Sequence, residues 1–174
     1  MVILITKGER QDRIEASRAD GSSVRTTFAK KGPIPHDAVH FFVEQQLGVA
    51  RGFWGLVAAG HHPEEISDLA KAAGHASAKR AGPPQPHIVP ILQAERIVEC
   101  FEADLWGGNG DNDSLRAMAK AGCEQSLVPV PVLDDAAIDR IRAAIFHLLN
   151  RWAELPVGGS ISLHWQGEQE PARA

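Results

Sequence analysis

The sequence predicts an α+β fold in which an antiparallel sheet of about four strands is covered by four to six helices. Short segments of strand character fill residues 1–31, and helical periodicity dominates residues 35–154. Strand-like alternation returns at residues 160–165. We therefore expect a single domain over residues 1–174, with three N-terminal strands and one C-terminal strand in a common sheet.

The N-terminal segment predicts a three-stranded meander. Residues 2–6 are apolar, and segments 13–18 and 23–28 flank Asp20-Gly21, a dipeptide typical of tight hairpin turns. In the third segment apolar and polar side chains alternate, which is the pattern of a sheet with one solvated face.

Three helices are predicted in the next part of the chain. Pro35 suits the first turn of a helix that ends at Gly48. The apolar segment 52–60 predicts a short buried helix. Pro63, followed by two glutamates that favour the positive end of a helix, begins a third, and Gly74 is its expected end.

The second half predicts three more helices and a returning strand. An apolar stripe indicates a helix over residues 90–105, and a turn separates it from a helix over 114–121. The clearest amphipathic helix begins at Asp134 or Asp135 and runs to about Glu154. Residues 160–165 alternate apolar and polar side chains, so we expect this segment to join the N-terminal sheet.

Composition and charge exclude several classes of function. The chain has 44% hydrophobic and 23% charged residues and a net charge of −4, which is ordinary for a globular protein. Residues 1–31 hold seven basic and four acidic side chains, and Phe28 is the one aromatic residue there that could stack on a base. We therefore do not expect nucleic-acid binding.

The same composition predicts a cytoplasmic protein. The N-terminal apolar run is too short for a secretory signal, and no segment approaches the length of a membrane span. Cys100 and Cys123 form neither a CxxC pair nor a dense framework, so reduced, buried thiols are expected.

The densest chemistry lies at the start of the first predicted helix, in His36, Asp37, His40 and Glu44. Side chains at i, i+4 and i+8 lie above one another on a helix, so the two imidazoles could converge on one ion, zinc or another divalent metal. Asp37 or Glu44 would then orient the attacking water of a hydrolase.

The spacing leaves the further metal ligand open. His61 and His62 precede a predicted helix, where one ring could point inward or instead cap the helix. A carboxylate from the acidic edge of the long helix, formed by Glu95, Glu99 and Glu102, could join the histidines if the two helices pack together. The simpler interpretation of that edge is a solvated one.

A purely structural role accounts for the same residues. On a helical wheel His36 falls inside the apolar stripe, whereas His40 and Glu44 lie along its border. We therefore expect His36 to be buried. Its ring could bond a neighbouring carbonyl, Asp37 could complement the helix dipole, and Glu44 could simply be solvated.

The stretch PHDAVHFFVE, followed by GFWG at residues 52–55, resembles a group of short bacterial proteins that share the pattern PHDxxH(F/Y)xVE...GFWG and have no assigned activity. This resemblance implies no catalytic or binding residues. His36-Asp37 and His61-His62 are also superficially similar to the doublets of HD-type metal-dependent phosphohydrolases. No histidine precedes residue 36, so the first ligand of that family is missing.

These observations lead to two hypotheses. The first is a small cytoplasmic protein without catalysis, which acts through contacts with a protein partner or as a homodimer and displays an apolar patch or a symmetric surface. The alternative is a metal-dependent, zinc-type hydrolase centred on His36 and His40, which requires both imidazoles to share one environment.

Overall fold

The structure is a computed structural model that describes residues 1–72, 82–108 and 110–167. Within these ranges the chain forms four strands and six helices, which confirms the predicted α+β fold. Their bounds are β1 Val2–Thr6, β2 Gln11–Ser17, β3 Ser23–Ala29, α1 His36–Leu47, α2 Phe53–Ala58, α3 Pro63–Ala72, α4 Val89–Gly107, α5 Asn112–Gln125, α6 Asp135–Glu154 and β4 Ser160–His164.

The four strands form one antiparallel sheet in the order β3-β2-β1-β4. The predicted return of the C-terminal strand is confirmed, with Ile5 of β1 opposite Ile161 of β4. Because side chains alternate along a strand, one face collects the buried apolar residues. That face carries Ile3, Ile5, Ile14, Ala16 and Ile161.

The predicted helix ends agree with the structure where the capping chemistry is strong. α1 begins at His36 and ends at Leu47, and its C-cap Gly48 has a φ of 65°, in the left-handed region that glycine adopts readily. Asp134 caps α6 through a hydrogen bond from the Ala137 amide. The expected end of α3 at Gly74 lies outside the described residues.

The helix predicted over residues 114–121 is longer in the structure. Asp111 caps it by accepting a hydrogen bond from the Ser114 amide, so α5 begins at Asn112, and it continues past Gly122 to Gln125. A continuous buried face explains the extension, because burial stabilises a helix beyond what local propensity predicts. The residues of that face are Leu115, Ala119 and Cys123.

The helices hold α1 and α4 side by side. α1 packs against α4, α6 and α2, and Val39 and Val43 are fully buried. Arg142 of α6 donates two hydrogen bonds to the buried carboxylate of Asp104 on α4. This bidentate pair fixes α4 to α6.

Two further sequence predictions bear on the surroundings. Cys100 on α4 and Cys123 on α5 are buried free thiols, as predicted. Among the helices of the described residues, none combines the length and the apolarity that crossing a bilayer demands.

Candidate metal centre

The two histidines lie one turn apart on α1. His36 is the first helical residue and His40 follows four positions later. Their rings meet edge to face, with 4.8 Å between centroids. The i, i+4 spacing predicted from the sequence therefore does bring the imidazoles into one environment.

Glu95 of α4 faces both histidines. His40 Nε2 lies 3.0 Å from Glu95 Oε2 and His36 Nε2 lies 3.6 Å from Glu95 Oε1. One ligand atom from each residue falls within 4.8 Å of the others. In a tetrahedral zinc site with bonds of about 2.0–2.1 Å, ligand atoms are about 3.3 Å apart, so these atoms would have to approach one another by up to about 1.5 Å to hold the ion. We call these residues the His-His-Glu cluster.

Each histidine has its other ring nitrogen held by a second carboxylate. His40 Nδ1 is 3.0 Å from Glu44 Oε1, and His36 Nδ1 is 2.9 Å from Glu102 Oε1. Histidines that bind metals commonly donate their second N–H to a carboxylate, which fixes the tautomer and leaves the first nitrogen free for the ion. The cluster shows this arrangement twice.

Glu44 contacts both His40 of the cluster and the backbone at the start of α2. Its side chain is fully buried, and its two oxygens accept the backbone amides of Phe53 and Trp54, each at 2.9 Å. These amides open α2 and have no partner within that helix. The Trp54 indole in turn donates to the Asp37 carbonyl at 2.7 Å, so α1 and the start of α2 are joined at two points.

The expected burial along α1 is wrong. The His36 side chain remains 18% exposed, whereas the His40 side chain is 5% exposed and Glu44 is completely buried. The helical wheel placed His36 in the apolar stripe and the other two on its border. Because three other helices pack around α1, the buried arc is wider than the apolar stripe and covers His40 and Glu44 as well. A solvated Glu44 is therefore excluded.

The carboxylates around the imidazoles set their protonation. Burial by itself would lower the pKa of His40. The hydrogen bonds with Glu44 and Glu95 outweigh this effect and raise the pKa to about 10. Burial likewise opposes the raised pKa of His36, which the hydrogen bonds with Glu102 and Glu95 bring to about 9. Burial raises the pKa of Glu44, yet three donors hold this carboxylate, so we place the shared proton on His40.

Asp37 is the second acidic residue predicted for catalysis. Its side chain is buried, and burial raises the pKa of its carboxyl group against the opposing charges of His36 and His40. Within the described ranges this carboxylate accepts a hydrogen bond from its own backbone amide and none from a side chain. Asp37 is thus held beside the histidines, and its carboxylate can accept a further hydrogen bond from a ligand or a water.

A cavity of about 240 Å³ opens onto the cluster. It brings together residues from β3, the loop before α1, and helices α1 to α4. The residues that line it are Phe28, Lys31, His36, Asp37, His40, Phe53, Ile66, Ser67, Ala70, Lys71, Ile91 and Glu95. A small molecule in this cavity would contact the cluster and Asp37 together.

The histidine pair considered as a source of a further ligand lies elsewhere. His62 Nδ1 accepts a hydrogen bond from the Glu64 amide, so this ring caps α3. His61 is exposed, and its carbonyl accepts from Arg18. The cluster found among the described residues contains neither histidine.

Sequence reasoning underrated the acidic edge of α4. Glu95 and Glu102 are seven residues apart, close to two helical turns, so they lie on one side of α4 and reach the two histidines of α1. The spacing of the two glutamates can be read from the sequence. The sequence does not show that this side of α4 faces α1. The cavity residues Lys31 and Phe53 carried no sequence signal for a site.

No family model matches this chain, and neither a curated protein nor a solved structure shows significant similarity to it. The resemblance of residues 35–44 and 52–55 to a bacterial group stays a prediction. The function is therefore inferred from the geometry of the site.

Proposed function

We propose that this protein is a metal-dependent hydrolase whose zinc-type divalent ion is held by His36, His40 and Glu95. One observation carries the proposal. The two Nε2 atoms face the same carboxylate, while each Nδ1 atom is held by a carboxylate of its own. A structural histidine needs one partner, whereas this doubled arrangement is the one that aims two imidazoles at an ion.

The number of ligands favours catalysis over a structural ion. Structural zinc sites have four protein ligands, whereas catalytic sites have three and leave a position for water or substrate. Here three protein ligands border a cavity. A divalent ion bound there would supply Lewis acidity and lower the pKa of a water molecule for attack on a substrate.

We assign to Asp37 the role of general base for the attacking water. Its carboxylate lines the same cavity, and a raised pKa makes it a better proton acceptor than an exposed aspartate. Glu44, the other predicted candidate, has both oxygens occupied by backbone amides and is fully buried. We therefore assign Glu44 to positioning His40.

The cluster supports the second of the two hypotheses of the sequence. The interaction hypothesis calls for an exposed apolar patch or a symmetric surface, and exposed apolar side chains do lie together on the connection between α5 and α6, at Leu127, Val130 and Val132. These side chains point to no particular partner, whereas the His-His-Glu cluster brings specific chemistry to one cavity. We therefore favour a metal-dependent hydrolase over a protein that acts only through binding a partner.

The first test is the metal content of untagged protein, purified without chelators and also after zinc or manganese has been offered. Mass spectrometry should find about one equivalent, as expected for one catalytic site. The His36→Ala/His40→Ala double variant and the Glu95→Gln variant should lose it. Thermal unfolding of each variant should still be cooperative.

His147→Ala is the matched control, because this histidine is exposed on α6 and far in sequence from the cluster. It should keep the full metal content. Absence of metal from the unsubstituted protein under every condition would overturn the metal centre, as would equal binding by the double variant.

Hydrolysis is tested separately with a panel of small esters, amides and phosphate esters. The zinc-loaded protein should turn over at least one of them, and the metal-free protein and the double variant should not. Asp37→Asn should retain zinc but lose about 100-fold or more in rate, which is typical for a general base. Zinc binding without any turnover would leave a metal centre and refute the hydrolase.

A further inference from the structure

We propose that the cavity takes a small molecule with an apolar body and an anionic group, and that Lys31 binds the anionic group. This inference rests on the proposed metal centre, because the charge of the ion contributes to the preference. It assigns a substrate class to the site and a role to a residue outside the His-His-Glu cluster.

The walls of the cavity fit an apolar body. Phe28 and Phe53 contact each other edge to face at 6.5 Å between centroids, and the Phe53 ring lies 5.7 Å from that of His40. The aromatic pair therefore extends from β3 to the cluster. Ile66 of α3 and Ile91 of α4 also line the cavity and are almost fully buried. Such walls would exclude water from one side of a bound molecule.

The cavity also carries two lysines, and they differ in their partners. The Lys71 ammonium lies 3.3 Å from Asp68 on the same helix, and both side chains are largely exposed. Lys31 precedes α1, is exposed, and forms no salt bridge with the carboxylates that the structure describes, although its charge acts against the burial that raises the pKa of Asp37. An ammonium that lines a cavity and is not held in a salt bridge can pair with an anionic group of a ligand.

The positions of the charges favour an anion once an ion is bound. Asp37 and Glu95 line the cavity together with Lys31, whereas Glu44 and Glu102 hold the Nδ1 atoms of the histidines and do not line it. These carboxylates would offset the total charge of a divalent ion. The ion and Lys31 would still both present positive charge to a molecule in the cavity, which favours a substrate with an anionic group.

The size of the cavity limits the ligand. Its volume is about 240 Å³, which lies below the roughly 300–1,000 Å³ of sites for drug-sized molecules. We therefore expect a molecule with one ring or a short chain. A carboxylate and a phosphonate share the chemistry that Lys31 would recognise, and binding experiments can distinguish them.

The test is calorimetric titration of the zinc-loaded protein with phenylacetate, phenylacetamide and benzylphosphonate. The first two have nearly the same shape but differ in charge. Phenylacetate should bind about tenfold more tightly than phenylacetamide, which corresponds to roughly 1.4 kcal/mol. Tighter binding of benzylphosphonate than of phenylacetate would still support the proposal and would favour a phosphorus-containing anion.

Lys31→Met tests the assigned residue. It should weaken phenylacetate binding about two- to fivefold, as expected for a partly solvated ion pair, and leave phenylacetamide binding unchanged. Lys120→Met removes the same charge from the exposed face of α5, and it should affect neither probe. Lys71→Met should have a smaller effect than Lys31→Met because Asp68 already pairs with that ammonium.

The outcomes separate this inference from the proposed function. If the protein takes up zinc but binds the acid and the amide equally, or binds neither, the substrate class is wrong and the metal centre stands. Equal losses of phenylacetate affinity in Lys31→Met and Lys120→Met would reduce the effect to net charge and refute the role of Lys31. Failure to take up zinc at all would overturn the metal centre and this inference with it.

Discussion

Both histidines of the cluster are held by glutamate side chains, but they differ in burial. His40 and its carboxylate Glu44 are buried in the core, whereas His36 and its carboxylate Glu102 keep side-chain exposures of 18% and 30%. Glu44 also anchors the start of α2 through two backbone amides. Within the part of the chain that the structure describes, the Glu102 carboxylate accepts no backbone amide and is bonded only to His36. One half of the site is therefore part of the core, and the other half lies at its rim.

Because of this difference, the effect of the site on the free energy of unfolding can be measured separately from its effect on metal affinity. A change on the His40 side should alter both the free energy of unfolding and the affinity for a metal, because Glu44 serves both. A change on the His36 side should alter the affinity with little effect on stability, because water can replace the lost contact. Four predictions test this contrast.

The largest effect is expected for Glu44→Gln. The NH2 group of the new side chain would lie against the backbone N–H of Phe53 or Trp54, and two donors would then face each other. The buried pair with His40 would also lose its negative charge. We expect the free energy of unfolding to fall by roughly 2–4 kcal/mol, measured by urea denaturation. Zinc affinity should also fall, by about 10- to 100-fold, as when a carboxylate behind a ligating histidine is removed. Unchanged stability would show that Glu44 is not part of the core.

Gly52→Ala should act on the same residue indirectly. A Cβ at position 52 would lie 2.5 Å from Glu44 Cδ and 2.7 Å from its Oε2, so the carboxylate must move. The backbone of Gly52 is extended with φ −76° and accepts alanine, so any cost comes from this contact. We expect a loss of about 1–3 kcal/mol in the free energy of unfolding.

The control for Gly52→Ala is Gly107→Ala at the end of α4, where a Cβ would meet nothing within 4 Å. It should be neutral or slightly stabilising. If both alanines cost the same, the close approach between position 52 and Glu44 does not constrain the site.

The metal-free protein should lose stability as the pH rises. The pKa of His36 is raised to about 9 and that of His40 to about 10, above the value of about 6.5 for an unfolded histidine. The stability contributed by protonation is therefore fully present below about pH 6.5 and disappears as the pH passes through the folded values. Most of this loss should fall between about pH 7 and pH 9.5.

Zinc should reverse the sign of this dependence, because it displaces the protons and its affinity rises with pH. Urea denaturation of metal-free and zinc-loaded protein across this interval measures both effects. The His36→Ala/His40→Ala variant should show a smaller decline. A decline of the same size in that variant would assign it to other groups.

The smallest effect on stability is expected for Glu102→Gln. Its contact with His36 is partly solvated, so the free energy of unfolding should change by less than about 0.5 kcal/mol. Zinc affinity should still fall, by about tenfold, because the His36 ring loses its orienting acceptor. A stability loss as large as that of Glu44→Gln would remove the distinction between the two halves of the site.

Much of the fold was predictable because its signals are local. The Asp20-Gly21 turn, the glycine at position 48 and the capping aspartate at position 134 each determine an element boundary through the chemistry of a few neighbouring residues. The extent of α5 was not predictable in this way. It continues through Gly122 because its buried face continues, and burial depends on partners distant in the chain.

The candidate site was only half predictable. The spacing of His36 and His40 predicted two imidazoles on one side of a helix, and the structure places them together. Glu95 was considered only on the condition that two helices pack, and the burial order along α1 was predicted wrongly. Each of these depended on α4, which begins more than 40 residues after α1 ends.

The sequence by itself determined the element order, the strand alternation and the histidine spacing, since each arises from backbone geometry and short-range side-chain chemistry. Only the tertiary structure decided which nitrogen of each imidazole meets which carboxylate, and that Glu44 is a core residue. The physical reason is that a helix sets the direction of a side chain relative to its own axis alone. Its burial, its charge and its ligands depend on the helices packed against it.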